Sequence, residues 1–446
     1  MSKKGKLAII TLSAIVAFYG IVGGLLSVQK DVFAKGDPYV QLRIFGEVLH
    51  HIVRDYVDEP DLEKVRVGAL RGLAEGLDPY SAHLTVEQVK KYQAPKTNQS
   101  ATGLALSKVS GFIYVVAVTK GSPAEKAGLK MGDFIEYLDT LATRDISLYD
   151  AEDILTGTAG TEISLKVFRR GRPYKTKVKF DVINQPALDA NILESGIGYI
   201  RVTSLAEGKS EELKKQLQDL QKKGAQKIVL DLRGAVGGSM EIGAEMANLF
   251  VKSGTLAKLI GHNNVIEKVF EADASKVVFN GPVAIVMDRS TSAGGEVIAA
   301  AMLANKRAEL VGERTFGAGS IQKLFELKSG SAMLVTISKY ADASGTPFMR
   351  ENGGFMPTVE VKATATNTED ATTPEDNEQA DANRADADVP LPLEPAPAED
   401  ASLKKAIEIL KSGHNTSEKH AAIEGTANPA TAKVLVSQAS AMAATL

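Results

Sequence analysis

A short apolar run followed by a glycine turn constrains the fold of this chain more than any other stretch. Val283–Met287 contains only apolar residues, which is typical of a strand buried on both faces of a sheet. The segment Glu296–Asn305 is rich in Ala, Met and Leu, which are good helix formers. Because Gly294 and Gly295 allow a sharp turn between them, the pattern predicts a strand, an elbow and a helix. Such an elbow can present one side chain at the edge of a sheet.

A second glycine-rich turn follows the predicted helix. Glu309–Gly312 is a short predicted strand, and the segment Thr315–Gln322 after it contains Gly317 and Gly319. An elbow that faces a glycine loop can hold a nucleophile against backbone N–H donors. The two turns together therefore indicate a candidate catalytic centre.

These two turns resemble the catalytic core of the carboxyl-terminal processing peptidases, serine proteases with a Ser–Lys dyad that is assisted by a Gln. In that family the pattern D-R-x-S-A-S-A-S-E precedes a helix, and G-E-x-T-F-G-K-G-x-V-Q follows it. The resemblance implies a serine-type endopeptidase fold without a metal or cofactor. The chain matches without a gap at Asp288, Arg289, Glu296, Arg307, Gly312, Glu313, Thr315, Phe316, Gly317, Gly319 and Gln322.

Alanine stands at both positions to which the resemblance assigns the chemistry. The nucleophilic Ser aligns with Ala293 and the general base Lys aligns with Ala318, at the spacing that the family has. An alanine side chain can neither attack a carbonyl nor accept a proton. Of the catalytic residues only the assisting Gln322 is retained. We therefore predict a family member that is proteolytically inactive.

Two alternatives to a naturally silent protein stay open at this point. In the first, Ser292 acts as a relocated nucleophile in an active serine endopeptidase. That mechanism also requires a base, and Lys323 or Lys339 can serve only if burial lowers its pKa from the ordinary value of about 10.4. In the second, the two alanines result from deliberate inactivation of a protease.

The chain before the elbow predicts a parallel sheet. Strands are indicated over Gly196–Arg201 and Lys227–Arg233, with a charged helix over Ser210–Gly224 between them. This βαβ order is typical of a parallel sheet with helices on its faces. By the resemblance, Gly237 and Gly238 donate backbone N–H groups to an oxyanion together with Gly294. The alternatives are a phosphate loop, which would need a fuller glycine pattern, and a plain tight turn.

Residues 100–183 resemble the PDZ domain that is inserted in the same peptidases. The segment Ile113–Val118 alternates like a strand, and Gly121–Asp133 matches the turn, short helix and turn of that domain. The resemblance places a carboxylate-binding loop at Gly103, Leu104, Ala105 and Leu106. Successive N–H groups there can form a nest for a C-terminal carboxylate while the peptide extends a sheet edge. The third loop position is usually Gly, so a PDZ fold that serves only as a spacer or lid is the alternative.

The N-terminus predicts a membrane anchor. Basic residues at Lys3, Lys4 and Lys6 precede Leu7–Val28, an uncharged run long enough to cross a bilayer. The positive flank is expected to stay in the cytoplasm, which places the bulk of the chain in the periplasm or outside the cell of a bacterial-type envelope. The alternative is a cleaved signal peptide with a site near Ala34, which would make the protein secreted.

The composition of the chain argues against several classes of partner and site. The formal net charge of −3 argues against a nucleic acid or another polyanion. The sequence has no Cys, which excludes disulfides and thiol catalysis, and its six His form no ligand-spaced cluster. We expect peptide or protein C-termini as ligands, with a second copy of the chain or an adaptor protein as further candidate partners.

The predicted fold class is α/β within a multidomain α+β chain. The N-terminal anchor or signal covers residues 1–36, and a helical region covers 37–96. The PDZ domain covers 97–185 and the peptidase core, of the ClpP/crotonase-like kind, covers 186–362. An acidic segment rich in Ala, Thr and Pro is predicted to be a disordered linker over 363–400, and 401–446 holds a short amphipathic helix and a tail.

Overall fold

The structure is a computed structural model that describes residues 38–94, 100–183, 186–349, 353–361 and 400–412. The predicted anchor or signal, the predicted linker up to residue 399 and the tail after residue 412 lie outside the described residues. Within the described ranges, no helix combines the length and the apolarity that a membrane span needs. The chain divides into two compact units, Met1–Leu70 and Arg71–Leu446.

Two helices open the described chain, as their apolar spacing predicts. Helix α1 spans Pro38–Asp55 and helix α2 spans Leu62–Glu75. The first of them leaves large apolar side chains such as Leu42 and Val53 exposed.

The predicted helical region is wrong at one point, because it also contains a strand. Strand β1 spans Ala82–Leu84 and is buried at all three residues, and helix α3 spans Val86–Gln93. The strand pairs with Ala332–Ala341, a strand far along the chain. A three-residue segment is too short to show a period, and only this distant partner makes it a strand.

The predicted PDZ domain contains a five-stranded antiparallel sheet, three additional short strands and two helices. Its sheet order is β3-β4-β5-β8-β9, so β3 is an edge strand. Apolar residues of the sheet, among them Ile113, Ile135 and Leu165, form a core with Leu148 and Ala151. The elements are β2 (Ser100–Ala101), β3 (Leu104–Val109), β4 (Phe112–Val118), α4 (Pro123–Lys126), β5 (Phe134–Leu138), β6 (Leu141–Ala142), α5 (Leu148–Ile154), β7 (Thr156–Gly157), β8 (Glu162–Arg169) and β9 (Arg172–Lys179).

The peptidase core is built on a six-stranded sheet whose strands are parallel except for β10. The order is β10-β11-β12-β15-β16-β19, which confirms the predicted βαβ unit. The elements are β10 (Asp189–Ile192), β11 (Ile197–Arg201), α6 (Lys209–Lys222), β12 (Lys227–Asp231), α7 (Met240–Asn248), β15 (Val283–Met287), α8 (Gly294–Ala304), β16 (Ala308–Gly312) and β19 (Val359–Glu360).

Both faces of this sheet are covered, which explains the uninterrupted apolar run of β15. Ile285 packs in one core cluster with residues of α6, α7 and α8, while Val286 packs in a second cluster on the opposite face. The second cluster includes Ala406 and Leu410 of helix α9 (Ala401–Ser412), the predicted amphipathic helix. Successive residues of a strand point to opposite faces, so a strand covered on both sides needs apolar residues throughout.

A second sheet of the core carries the glycine loop. It contains β13 (Thr255–Ile260), β14 (Ile266–Glu271), β17 (Ser320–Glu326) and β18 (Ala332–Ala341) in addition to β1. The order is β1-β18-β13-β14, and β17 pairs with β18. This sheet therefore holds the residue Gln322 within a paired strand.

Candidate active site

The predicted elbow is present, and its backbone is strained at Ala293. This residue immediately precedes α8 with φ 49° and ψ −114°, a region that residues with a side chain rarely adopt. Holding a non-glycine residue there costs about 1–3 kcal/mol, so the surroundings must enforce the conformation. Two residues after Ala293, glycine is required at Gly295, because a Cβ at this position would lie 2.6 Å from the Ala235 carbonyl oxygen.

Glu296 is the group that enforces this geometry. It is fully buried, and its carboxylate accepts hydrogen bonds from the N–H groups of Ala293 (3.0 Å) and Ala318 (2.9 Å). The other oxygen accepts from the N–H of Gly317 (2.9 Å) and the hydroxyl of Thr315 (2.5 Å). Burial raises the pKa of Glu296 to about 7, against the hydrogen bonds, which lower it. One carboxylate thus joins the elbow to the glycine loop.

The structure brings the predicted catalytic positions together. Ala293, Ala318 and Gln322 line one cavity of 310 Å³, and Ser292 lies beside them. The predicted oxyanion residues Gly237 and Gly238 line the same cavity. The elbow and the glycine loop, which were identified as separate sequence motifs, therefore meet at one cavity.

Neighbouring hydroxyl groups orient the side chain of Gln322. Its Nε2 donates to Ser320 Oγ (2.7 Å) and to Thr336 Oγ1 (3.2 Å). The Thr336 hydroxyl in turn donates to Asp78 Oδ1 (3.1 Å). Sequence reasoning missed Ser320, Thr336 and Asp78 as residues of the site. The segment Leu77–Ser81, which reads Leu-Asp-Pro-Tyr-Ser and resembles a turn of the same peptidases, is the sequence signal that could have pointed to Asp78.

The glycine turn of the predicted oxyanion site has a left-handed backbone. Gly237 and Gly238 have φ of 66° and 71°, and a Cβ at Gly238 would lie 2.4 Å from the Leu205 Cβ. The N–H of Gly294 donates to the carbonyl of Gly237 (3.0 Å). The prediction that Gly294 offers a free N–H to an oxyanion is therefore wrong for this structure, because the neighbouring loop already occupies that donor.

Ser292 lines the cavity, but neither of the two lysines that could serve as its base does. The Ser292 residue is 5% exposed, and its N–H donates to the carbonyl of Ala235. Neither Lys323 nor Lys339 lies among the cavity residues, and Lys323 Nζ sits over the ring of Phe325. The described residues that line this cavity include no Lys, Arg or His. The geometry disfavours a relocated nucleophile.

The predicted carboxylate-binding loop adjoins this site. A second cavity of 300 Å³ is lined by Gly103, by the start of β3, and by Leu155 after α5. Gly103 adopts φ 84°, and its carbonyl accepts from the N–H of Thr119. The two cavities have lining residues in common, namely Leu104, Ala105, Leu106, Glu152 and Val236.

An aromatic stack links the PDZ domain to the glycine loop. Tyr114 of β4 lies against Phe316 with ring centroids 5.9 Å apart and planes inclined by 12°. Burial raises the pKa of the Tyr114 hydroxyl. Phe316, which directly precedes Gly317, is thereby in contact with the predicted PDZ domain.

Known protein families share the sequence patterns of this chain. Residues 196–361 match the model of peptidase family S41, and residues 114–169 match that of a PDZ domain. The carboxy-terminal processing protease CtpA of Bacillus subtilis is 33% identical over 320 residues, which cover 71% of this chain and 68% of that protein. The chain belongs to peptidase family S41.

Other S41 relatives agree with this assignment. The carboxyl-terminal-processing protease of Picosynechococcus sp. is 31% identical over 329 residues, which cover 70% of this chain and 78% of the relative. The structure of the photosystem II D1 C-terminal processing protease superposes with a TM-score of 0.60, covering 72% of this chain and 92% of that one at 24% identity. That likeness supports the fold. The predicted family and the mixed α/β multidomain architecture of this S41 chain are confirmed.

Proposed function

We propose that this S41 chain is a catalytically silent family member that binds peptides or protein C-termini through its PDZ domain. One observation carries the proposal. The carboxylate of Glu296 fixes the backbone of Ala293 and Ala318 at the elbow and the glycine loop, and both positions present only a methyl group. The backbone is held in place at both positions, while the reactive side chains are missing.

Peptide-bond hydrolysis of the serine type requires a nucleophile and a base in hydrogen-bond contact. Gln322 can bind and orient a substrate, but an amide at neutral pH neither attacks a carbonyl nor removes a proton. Ser292 lacks a cationic or imidazole neighbour among the described cavity residues. The cavity and Gln322 are therefore retained, whereas the aligned nucleophile and base are missing.

The PDZ domain supports the binding half of the proposal. Strand β3 is the edge of its sheet, and on its other side it pairs with no described strand. A peptide can add to such an edge through main-chain hydrogen bonds. Its carboxylate would then lie at Gly103–Leu106, and the cavity beside that loop continues toward Ala293.

The location of the protein is part of the same proposal. The segment Leu7–Val28 would anchor the chain in the inner membrane, or act as a cleaved signal, with the bulk in the periplasm or outside the cell. Fusion of an enzyme that is active only outside the cytoplasm to the C-terminus tests this. Activity of the fusion is expected, in the membrane fraction for an anchor and in the soluble extracytoplasmic fraction for a cleaved signal, and an inactive fusion would contradict the proposal.

Covalent labelling by a serine-directed fluorophosphonate tests the silent site. The purified full chain should not be labelled, whereas the double variant Ala293→Ser/Ala318→Lys should be. Labelling of the unaltered chain that disappears in Ser292→Ala would establish the relocated nucleophile instead.

A further inference from the structure

Glu152 is the charged side chain that the two cavities share. It lies on α5, across from the edge strand β3, and it is exposed. All other described residues that line either cavity are uncharged. With alanine at position 318, the described lining also lacks a cation. A ligand in either cavity therefore meets one charged side chain in the described lining, and it is a carboxylate.

The other acidic residues of α5 do not line either cavity, and they contact helix α3. Asp150 accepts a hydrogen bond from Nε2 of Gln88 on α3 (2.6 Å), and Asp153 forms an ion pair with Lys91, which also lies on α3 (2.5 Å). A capping box at Ser147 fixes the start of α5. The helix is thus held in place by α3, and Glu152 is its acidic residue on the cavity side.

We propose that Glu152 selects peptides that carry a Lys or Arg side chain close to an apolar C-terminal residue. This inference rests on the proposed peptide-binding function and adds the ligand class to it. In a peptide strand paired with β3, the side chain of the last residue and that of the residue two before it point to the same face. Leu104, Leu106 and Leu155 offer an apolar environment for the last side chain. Glu152 lines the same cavity and would contact the side chain of the residue two before the last.

The expected size of the preference follows from the exposure of the carboxylate. A solvent-exposed ion pair strengthens binding by about 1.4- to fivefold, and a like-charge contact weakens it by a similar factor. The two effects add when a Lys peptide is compared with a Glu peptide. We expect the Lys peptide to bind roughly tenfold more tightly at low salt. The ratio should shrink at high ionic strength, because salt screens exposed charges.

Calorimetry on the full chain provides the test. The probes are three ten-residue peptides that end in a free-acid Leu and differ only at the third residue from the end, which is Lys, Ala or Glu. We expect affinity to fall in that order for the unaltered chain. Glu152→Gln should abolish the order, and Glu152→Lys should reverse it. The matched control Glu162→Gln changes an exposed carboxylate on β8 and should keep the original order.

The calorimetric results distinguish a failure of the Lys selectivity from a failure of peptide binding itself. Equal affinities of the Lys and Glu peptides for the unaltered chain would overturn the selectivity and leave peptide binding intact. A Lys preference that persists in Glu152→Gln would overturn the role of this residue. If none of the three peptides binds, the peptide-binding function fails, and the selectivity fails with it.

Discussion

Ala293 and Ala318 donate their backbone N–H groups to the same carboxylate oxygen, Oε2 of Glu296, over 3.0 and 2.9 Å. One residue lies in the elbow after β15, and the other lies in the loop that joins β16 of the six-stranded sheet to β17 of the second sheet. A single buried acceptor therefore fixes their spacing, whatever side chains they carry.

The raised pKa of Glu296 predicts a specific pH dependence of stability. A buried carboxyl whose pKa is about 7 in the folded chain and ordinary when unfolded binds its proton more tightly in the folded state. Stability is then highest below the unfolded pKa and falls as pH rises toward 7. Between pH 5 and pH 8 this amounts to about 2–3 kcal/mol.

The variant Glu296→Gln isolates this contribution. It should be less stable throughout, because its amide NH₂ faces backbone donors, but it should lack the decline between pH 5 and pH 8. Thermal unfolding at both pH values measures the difference, with the exposed Glu162→Gln as control. Equal pH slopes for the unaltered chain and Glu296→Gln would show that Glu296 does not titrate in this range.

The stack of Tyr114 on Phe316 predicts an energetic coupling between the PDZ domain and the glycine loop. Stacked aromatic pairs are worth about 0.5–1.5 kcal/mol beyond their burial. A double-mutant cycle of Tyr114→Ala and Phe316→Ala, read from the free energy of unfolding, should give a coupling of that size. A cycle with Tyr137→Ala in place of Tyr114→Ala is the control and should give none. Additive effects of the first pair would mean that the stack carries no energy.

The contacts of Asp400 predict how strongly helix α9 is held against the core. The guanidinium of Arg233 donates to both carboxylate oxygens of Asp400 (3.1 and 2.7 Å), and Asp400 accepts from the N–H of Leu403 at the start of α9. Against the effect of burial, these bonds hold the pKa of Asp400 below its ordinary value. Asp400→Ala should destabilise the chain by about 1 kcal/mol through the lost cap and ion pair.

Limited proteolysis measures this effect directly. Cleavage that releases α9 should be faster in Asp400→Ala than in Lys405→Ala, which alters an exposed pair with Glu408 on the same helix. The stabilisation by Asp400 should also be lost as pH falls through its lowered pKa. Equal cleavage rates in the two variants would contradict the role of Asp400.

The carboxylate-binding loop predicts that ligands need a free C-terminus. A charged acceptor bonded by backbone N–H groups is worth about 1.5–3 kcal/mol, so amidation of a peptide should weaken binding by about one to two decades. Calorimetry of the full chain with free-acid and amidated forms of one peptide measures this. Equal affinities would mean that Ala105 closes the nest and that the domain serves as a spacer or lid.

The parts of this structure that sequence predicts well are local. The apolar run of β15 and the Ala-rich α8 carry their own signals, and so do the amphipathic α1 and α9. Strand β1 was missed, because Ala82–Leu84 becomes a strand only through its pairing with β18. The engagement of the Gly294 N–H was missed for the same reason, since its acceptor belongs to another loop.

Within the site, motif alignment identified positions and not contacts. It located Ala293, Ala318 and Gln322, which line one cavity. It did not indicate that Glu296 binds two of them, or that Thr336 links Gln322 to Asp78. Those links join separate elements of the fold, and a single sequence holds no local pattern for them.

Hydrolysis of an unstructured protein by the full chain tests the silent site most directly, with Ala293→Ser/Ala318→Lys assayed in parallel. If the scaffold held by Glu296 is complete, the unaltered chain should produce no fragments, and the double variant should cleave. The single variants Ala293→Ser and Ala318→Lys should remain inactive or nearly so, because nucleophile and base act as a unit. Cleavage by the unaltered chain that Ser292→Ala abolishes would contradict a silent site.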